Sequence, residues 1–219
     1  MRFDAVLLDM DGTVLDTLED LADATNAALR AFSLPERSVD EVRGIVGNGA
    51  ERLIALATPE GTPESLRAEA LAWFRVYYDA HCRVKTRPYD GILPLLEQLR
   101  AAGLRLAVIS NKPDSAVKIL AEEHFPSLLD LALGEKPPLR RKPWPDMIEA
   151  GCADLHLPVG RCLYVGDSEV DVLTAQNAGI ACASVCWGFR SREELLDAGA
   201  TALFDTPEEL GSWILKTED

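Results

Sequence analysis

Asp9 and Asp11 stand two residues apart in the run Asp9-Met10-Asp11-Gly12-Thr13-Val14-Leu15-Asp16, directly after the apolar residues 3–8. That apolar stretch reads as a buried β-strand. Carboxylates at the tip of a buried strand are costly to desolvate unless a cation meets them. The spacing suits one Asp as a nucleophile, a magnesium ion beside it and the second Asp as a proton donor, with Gly12 allowing a sharp turn. Asp-Gly alone is also an ordinary turn signal, so the rest of the chain has to decide between the two.

Three further groups repeat the pattern of chemistry at a strand end. Ser110-Asn111-Lys112 follows the apolar residues 104–109. A hydroxyl and backbone N–H groups there could hold a phosphate, or Ser-Asn could cap the next helix. Lys142-Pro143-Trp144-Pro145 precedes another helix. Lys142 could neutralise a phosphate and an attacking carboxylate, or belong with Arg140 and Arg141 to a basic loop. Lys136-Pro137 competes for that role, but Pro-x-Pro leads Lys142 directly into a helix. Gly166-Asp167-Ser168-Glu169-Val170-Asp171 follows the strand pattern of residues 161–165. Asp171 could be an acid favoured only by a helix dipole, whereas Asp167 sits at the strand tip.

The elements that must position these residues fall into two kinds. Residues 17–85 read as helical throughout, with Leu18, Leu21, Ala22, Thr25, Ala28, Leu29 and Phe32 recurring every three or four positions. Ser38-x-x-Glu41 forms a capping box for a short second helix. Gly44 to Gly49 breaks it, and a third helix carries Leu53, Ile54 and Leu56. Pro63 takes the first position of a longer fourth helix, whose apolar stripe is Leu66, Ala70, Trp73, Phe74 and Tyr77. From Pro88 the rhythm becomes helix then strand: helices over 93–102, 114–123, 145–154 and 171–178, strands over 104–109, 130–133, 161–165, 180–185 and 202–204. Alternation of this kind implies an α/β fold, a parallel sheet with helices on both faces. The helical stretch is then an insertion after the first strand.

Acids, hydroxyl, lysine and acids thus fall after successive strands, at the edge where open α/β sheets bind ligands. Their order and types resemble the four motifs of the haloacid dehalogenase superfamily, across the whole chain. Gly47-Asn48-Gly49, Lys142-Pro143-Trp144-Pro145 and Trp187-Gly188-Phe189-Arg190 look like its phosphoglycolate phosphatase subgroup. Pyrophosphatases of the same branch share much of this. The resemblance implies a Rossmann-like core over residues 1–16 and 86–219 and an inserted α-helical cap over 17–85. It implies a Mg²⁺-dependent phosphatase acting on a small phosphorylated metabolite, 2-phosphoglycolate first. A pyrophosphatase and a phosphoglucomutase-like phosphotransferase are the alternatives.

Carried over residue by residue, Asp9 attacks phosphorus to form an aspartyl-phosphate, and Asp11 protonates the leaving alcohol and then activates water. That second role needs a carboxyl whose affinity for protons is raised by nearby acids and by a closing cap. Ser110 and Lys142 hold phosphate oxygens, with Gly12, Thr13 and Asn111 beside them. The metal is held by the side chains of Asp9 and Asp167 and the backbone carbonyl of Asp11, with Asp171 supporting it from behind. In the cap, Gly47, Asn48, Gly49 and Arg52 are expected to face the site and select a small anionic leaving group. The bland alternative for that glycine-rich stretch is a turn joining two helices. A dehalogenase does not use an acid at the position of Asp11, and a phospho-accepting signalling domain would lack both Asp11 and the insertion.

Composition sets the outer limits. The 219 residues suit one large domain or a domain with an insertion, and a 47% apolar share supplies a sizeable core. A net charge of −14 argues against nucleic acid or an anionic membrane as a partner. No apolar run approaches the roughly 18 residues of a membrane span, and Asp9 and Asp11 interrupt the short apolar run that a signal peptide would need. The five cysteines are odd in number with no Cys-x-x-Cys pair. They read as small buried side chains of a cytoplasmic protein.

Overall fold

The computed structural model describes residues 2–216. Its centre is a six-stranded sheet, in the order β5-β4-β1-β6-β7-β8. The strands are β1 (Ala5–Leu8), β4 (Arg105–Pro113), β5 (Leu131–Glu135), β6 (Cys162–Gly166), β7 (Ala181–Val185) and β8 (Leu203–Phe204). Every neighbouring pair is parallel. Alternation along β1 sends its side chains to opposite faces. Val6 and Leu8 join Leu95, Leu99, Val117 and Leu120 on one side. Ala5 and Leu7 join Met147, Ile148 and Cys152 on the other. Both sides are therefore covered by helix, among them α5 (Ile92–Ala101) and α6 (Asp114–His124) on the first and α7 (Asp146–Asp154) on the second.

Register places the site. Leu8 is level with Val108 on one neighbour and Val165 on the other. The residues just beyond these three, Asp9, Ser110 and Asp167 among them, must emerge together at the carboxyl edge of the central strands. The chain runs from β1 outward to β4 and β5, then crosses back to β6 on the far side of β1. Strand order reverses there, and a crevice opens at such a switch point.

Two of the expected boundaries shift in ways that matter for the site. β4 runs on to Pro113, with a register irregularity after Ile109. Ser110, Asn111 and Lys112 therefore belong to the strand's end, and α6 is capped instead by Pro113, without a side-chain hydrogen bond. The helix after β6, α8 (Glu169–Ala178), starts two residues earlier than the apolar pattern suggests, because Ser168 precedes it and hydrogen-bonds to Asp171.

The chain leaves the sheet after β1 and makes four helices before β4: α1 (Leu18–Ala31), α2 (Val39–Ile45), α3 (Gly49–Ala57) and α4 (Glu64–His81). The capping box of α2 forms as expected, with Glu41 N 3.2 Å from Ser38 Oγ and Ser38 N 2.7 Å from Glu41 Oε2. Pro63 stands one residue before α4 in extended backbone (ψ 143°), not at its first helical position. The buried stripe of α4 is Ala70, Phe74 and Tyr78, spaced four apart, while Trp73 and Tyr77 are only half-buried.

The passage between sheet and helices is a two-stranded antiparallel ribbon of β2 (Leu15–Asp16) and β3 (Arg87–Pro88). These pieces are too short to show in the sequence pattern. The buried Asp20 carboxylate pins the two crossings together by accepting from Lys85 N (3.0 Å), Thr86 N (2.9 Å) and the Thr86 hydroxyl (2.9 Å). Two C-terminal helices, α9 (Arg192–Asp197) and α10 (Pro207–Ile214), were not expected. Ser191-x-x-Glu194 is a capping box that signals the first of them. Among the described residues no helix is long and apolar enough to cross a membrane.

Candidate active site

Asp9 leaves the end of β1 buried, with Met10 N donating to its Oδ1 at 2.7 Å and Lys142 Nζ 2.9 Å away. Burial pushes its carboxyl up to about 6; Lys142 opposes the shift, and the neighbouring Asp171 and Asp11 add to it. Asp167, at the end of β6, is also buried and accepts from the Thr13 hydroxyl (3.1 Å) and from Phe189 N (2.8 Å). Burial first, then Asp171 and Asp9, hold it well above the usual carboxylate range. Glycine is required at both sides of this carboxylate. Gly12 has φ +82°, and a Cβ there would collide with Asp167; a Cβ on Gly188 would collide with Gly12 O and Asp167.

Asp171 has no lone pair left facing inward. Its Oδ1 accepts from Lys142 Nζ (2.8 Å) and the Tyr164 hydroxyl (2.9 Å). Its Oδ2 accepts from Asp167 N (3.2 Å), Ser168 N (3.1 Å) and the Ser168 hydroxyl (2.7 Å). Burial opposes its charge, but Lys142 and these donors outweigh burial and lower its pKa. Asp171 therefore orients Lys142 and the 166–168 turn.

Lys142 uses its three donors on Asp9, Asp171 and Tyr164 Oη, the last at 2.8 Å. Burial disfavours its charge, yet Asp171 and Asp9 keep it protonated above the usual lysine value. The competing Lys136 is exposed and 3.7 Å from Asp114, away from this cluster. Asn111 locks the Lys142 loop to β4. Its Oδ1 accepts from Lys142 N (2.7 Å), and its Nδ2 donates to Lys142 O (3.0 Å) and to Gly47 O (3.1 Å) in the helical segment. Ser110 is buried beside it.

Asp11 pairs with a different cation from Asp9. Its Oδ1 accepts from the Thr17 hydroxyl (2.7 Å) and from Lys112 Nζ (2.6 Å). Within Ser110-Asn111-Lys112 the sequence assigns Lys112 no role of its own; its burial comes from the extension of β4. The strand's irregularity after Ile109 is the only signal, and it is visible only in the fold.

A pocket opens where these residues meet the helices. Asp9, Asp11, Ser110, Asn111 and Lys112 form its floor, and Leu21, Val46, Ala50, Leu53, Phe74 and Tyr78 form its walls. Gly47 and Gly49 border it; Asn48, which is half-buried, and Arg52, which is exposed, do not. The helices are held against the core by the Asn111–Gly47 bond and by the buried Arg190, which donates to Arg43 O and Val46 O at 2.9 Å each.

The family model of haloacid dehalogenase-like hydrolases matches residues 6–185. The chain belongs to this family. Two curated relatives resemble it over nearly their whole length. N-acetylmuramic acid 6-phosphate phosphatase of Pseudomonas aeruginosa is 35% identical, over 96% of this chain and 94% of that protein. Phosphoglycolate phosphatase of Rhodospirillum rubrum is 33% identical, over 96% and 90%. A solved structure from Lactobacillus delbrueckii subsp. bulgaricus is 39% identical, with a TM-score of 0.93 over 99% of this chain and 100% of that one. The hydrolase is an enzyme of the phosphoric monoester hydrolase class, in the phosphoglycolate phosphatase-like branch of the family.

The donor set of the hydrolase fits a hard divalent cation. Carboxylate oxygens of Asp9, Asp167 and Asp171 lie within 4.8 Å of one another. Asp171 is saturated by protein donors, so Asp9 and Asp167 are the two with oxygens to offer. Two buried carboxylates, both pushed up by burial and Asp167 further by Asp9, are the arrangement a small oxygen-seeking cation relieves.

Proposed function

We propose that the hydrolase is a Mg²⁺-dependent phosphatase of small phosphomonoesters, 2-phosphoglycolate foremost, working through an aspartyl-phosphate on Asp9. The observation that carries this reading is the division of the two acids. Asp9 is drawn into the Lys142 and Asp167 cluster, and Asp11, two residues on, faces the pocket with Lys112. Asp9, Asp167 and the backbone carbonyl of Asp11 would hold the metal, which when bound offsets the charge of an anion attacking an anion.

Asp9 attacks phosphorus, and the bond to the leaving oxygen breaks as that oxygen takes the proton of Asp11. Water then attacks the same phosphorus, the Asp9–phosphorus bond breaks, and Asp11 takes the water's proton. Lys142, held charged by Asp171, steadies Asp9 and offsets the charge of the phosphoryl group through space, and Ser110 donates to a phosphoryl oxygen. Gly12 and Thr13 keep the first turn tight against Asp167. The four helices act as a cap over this chemistry, which limits access of stray water to the acyl phosphate.

Pocket size favours a short leaving group. The cavity is small, about 40 Å³. That supports a two- or three-carbon alcohol over an amino sugar. The test is phosphate release from 2-phosphoglycolate, N-acetylmuramic acid 6-phosphate, pyrophosphate and glucose 1-phosphate at matched concentration. The reading requires the first to give the highest kcat/KM. A preference for the amino sugar phosphate would overturn the substrate, and conversion of glucose 1-phosphate without phosphate release would replace hydrolysis by transfer.

A further inference from the structure

Three buried side-chain atoms among the described residues lack a hydrogen-bond partner: Arg67 Nε, His124 Nε2 and the Tyr78 hydroxyl. Only Tyr78 borders the pocket above Asp9. Its ring is fixed on α4, stacked on Phe74 with centroids 5.4 Å apart. Its hydroxyl is held neutral, because burial raises its pKa. An O–H donor shut away from water without an acceptor is costly, so its place in the wall calls for an acceptor that arrives with the ligand.

Beside it stands a cation. Lys112 Nζ lies 4.7 Å from the centre of the Tyr78 ring and 2.6 Å from Asp11. An ammonium has three donors, and Asp11 takes one of those of Lys112. The remaining walls of the pocket, Leu21, Val46, Ala50, Leu53 and Phe74, are apolar. They offer nothing to a sugar's ring of hydroxyls.

We propose that Tyr78 and Lys112 form the leaving-group subsite of this enzyme, binding a carboxylate carried one or two carbons from the phosphoryl oxygen, a site that rests on the phosphatase reading above. The Tyr78 hydroxyl donates to one carboxylate oxygen and Lys112 supplies the charge. The carbon between carboxylate and phosphate packs on the apolar wall. This moves recognition from the Gly47–Arg52 stretch to α4 and the end of β4. It also sets a different pattern of specificity: the acid is read by a fixed phenol and a buried lysine, and an uncharged alcohol of the same length leaves both without a partner.

The experiment compares 2-phosphoglycolate with 2-hydroxyethyl phosphate, its uncharged counterpart, in wild type, Tyr78→Phe and Lys112→Met. The ratio of the two kcat/KM values should fall about tenfold in Tyr78→Phe, as expected for loss of a hydrogen bond to a charged group, and further in Lys112→Met. A ratio unchanged in both variants overturns the subsite while leaving the phosphatase intact. If wild type cleaves neither ester, the choice of 2-phosphoglycolate as substrate has failed. The subsite is then read by calorimetric binding of 2-phosphoglycolate to Asp9→Asn and to Asp9→Asn with Tyr78→Phe. Weaker binding in the double variant supports it, and equal affinities overturn it.

Discussion

Lys112 Nζ lies 2.6 Å from Asp11 Oδ1, a contact between residues 101 positions apart in the chain. Both side chains are largely closed to solvent. The pair exists because β4 continues past Ile109 and delivers Lys112 to the turn after β1. It separates the two acids of the first motif: Asp9 answers to Lys142, Asp11 to Lys112.

Replacing Lys112 by Met should therefore impair Asp11 and spare the metal site. The expected loss in kcat is about 10²-fold, the lower end of what a positioned acid–base group contributes. Mg²⁺ affinity, measured by calorimetry, should stay near that of wild type. A matching loss of metal affinity would mean that Lys112 serves the metal cluster.

Metal removal should abolish turnover, and Mg²⁺ should restore it. Ca²⁺ should restore it poorly because it prefers larger and looser coordination. Mg²⁺ should also raise the melting temperature of wild type, by binding the folded state only. Asp167→Asn should lose that response, and without metal it should melt no lower than wild type, since it removes a buried acid that burial, Asp171 and Asp9 all disfavour as an anion. A melting temperature of wild type that ignores Mg²⁺ would count against the site.

The pH dependence follows from Asp9, whose carboxyl is pushed up to about 6. A metal and a proton compete for the same oxygens, and the proton wins more often as pH falls. Apparent Mg²⁺ affinity should fall as pH drops, by about tenfold per unit below about pH 6 from Asp9 alone, and more steeply where Asp167, also held above the usual carboxylate range, takes up a proton. Calorimetry from about pH 5 to about pH 8 reads this directly. An affinity independent of pH over that range would place ionised Asp9 outside the metal site.

Arg190 ties the core to the cap through Arg43 O and Val46 O, and pairs with Glu169 at 2.9 Å. Arg190→Ala leaves two carbonyls without their donor and should cost about 2 kcal/mol of stability. It should also raise KM more than it lowers kcat, because the groups that perform the chemistry stay in place. An unchanged KM would show that cap docking does not depend on this residue.

The motifs were legible because they carry several kinds of signal at once. Asp9 and Asp167 are acids at the tips of apolar strands, and a parallel register then forces them together. Lys142 was separable from Lys136 by the prolines that follow it. What did not show were relations created by packing. Lys112 became a buried partner of Asp11 through an irregular strand end. Tyr78 lies one residue beyond the expected stripe of Leu66, Ala70, Trp73, Phe74 and Tyr77, because α4 buries every fourth residue from Ala70. The glycine-rich stretch of the cap drew attention to Asn48 and Arg52, yet Val46, Gly47, Gly49 and Ala50 are the residues of it that border the pocket. Single ribbon residues such as Leu15 and Pro88 have no periodicity to read.

The covalent step is tested most directly by trapping the phosphoenzyme in Asp11→Asn. An activated aryl phosphate needs no acid for its leaving group, so Asp9 can still be phosphorylated, while hydrolysis of the acyl phosphate lacks its base. Acid quench followed by peptide mass spectrometry should find one phosphoryl group on the peptide that carries Asp9, with none in Asp9→Asn. Phosphorylation at another residue, or an Asp9→Asn protein that still turns over, would contradict the account.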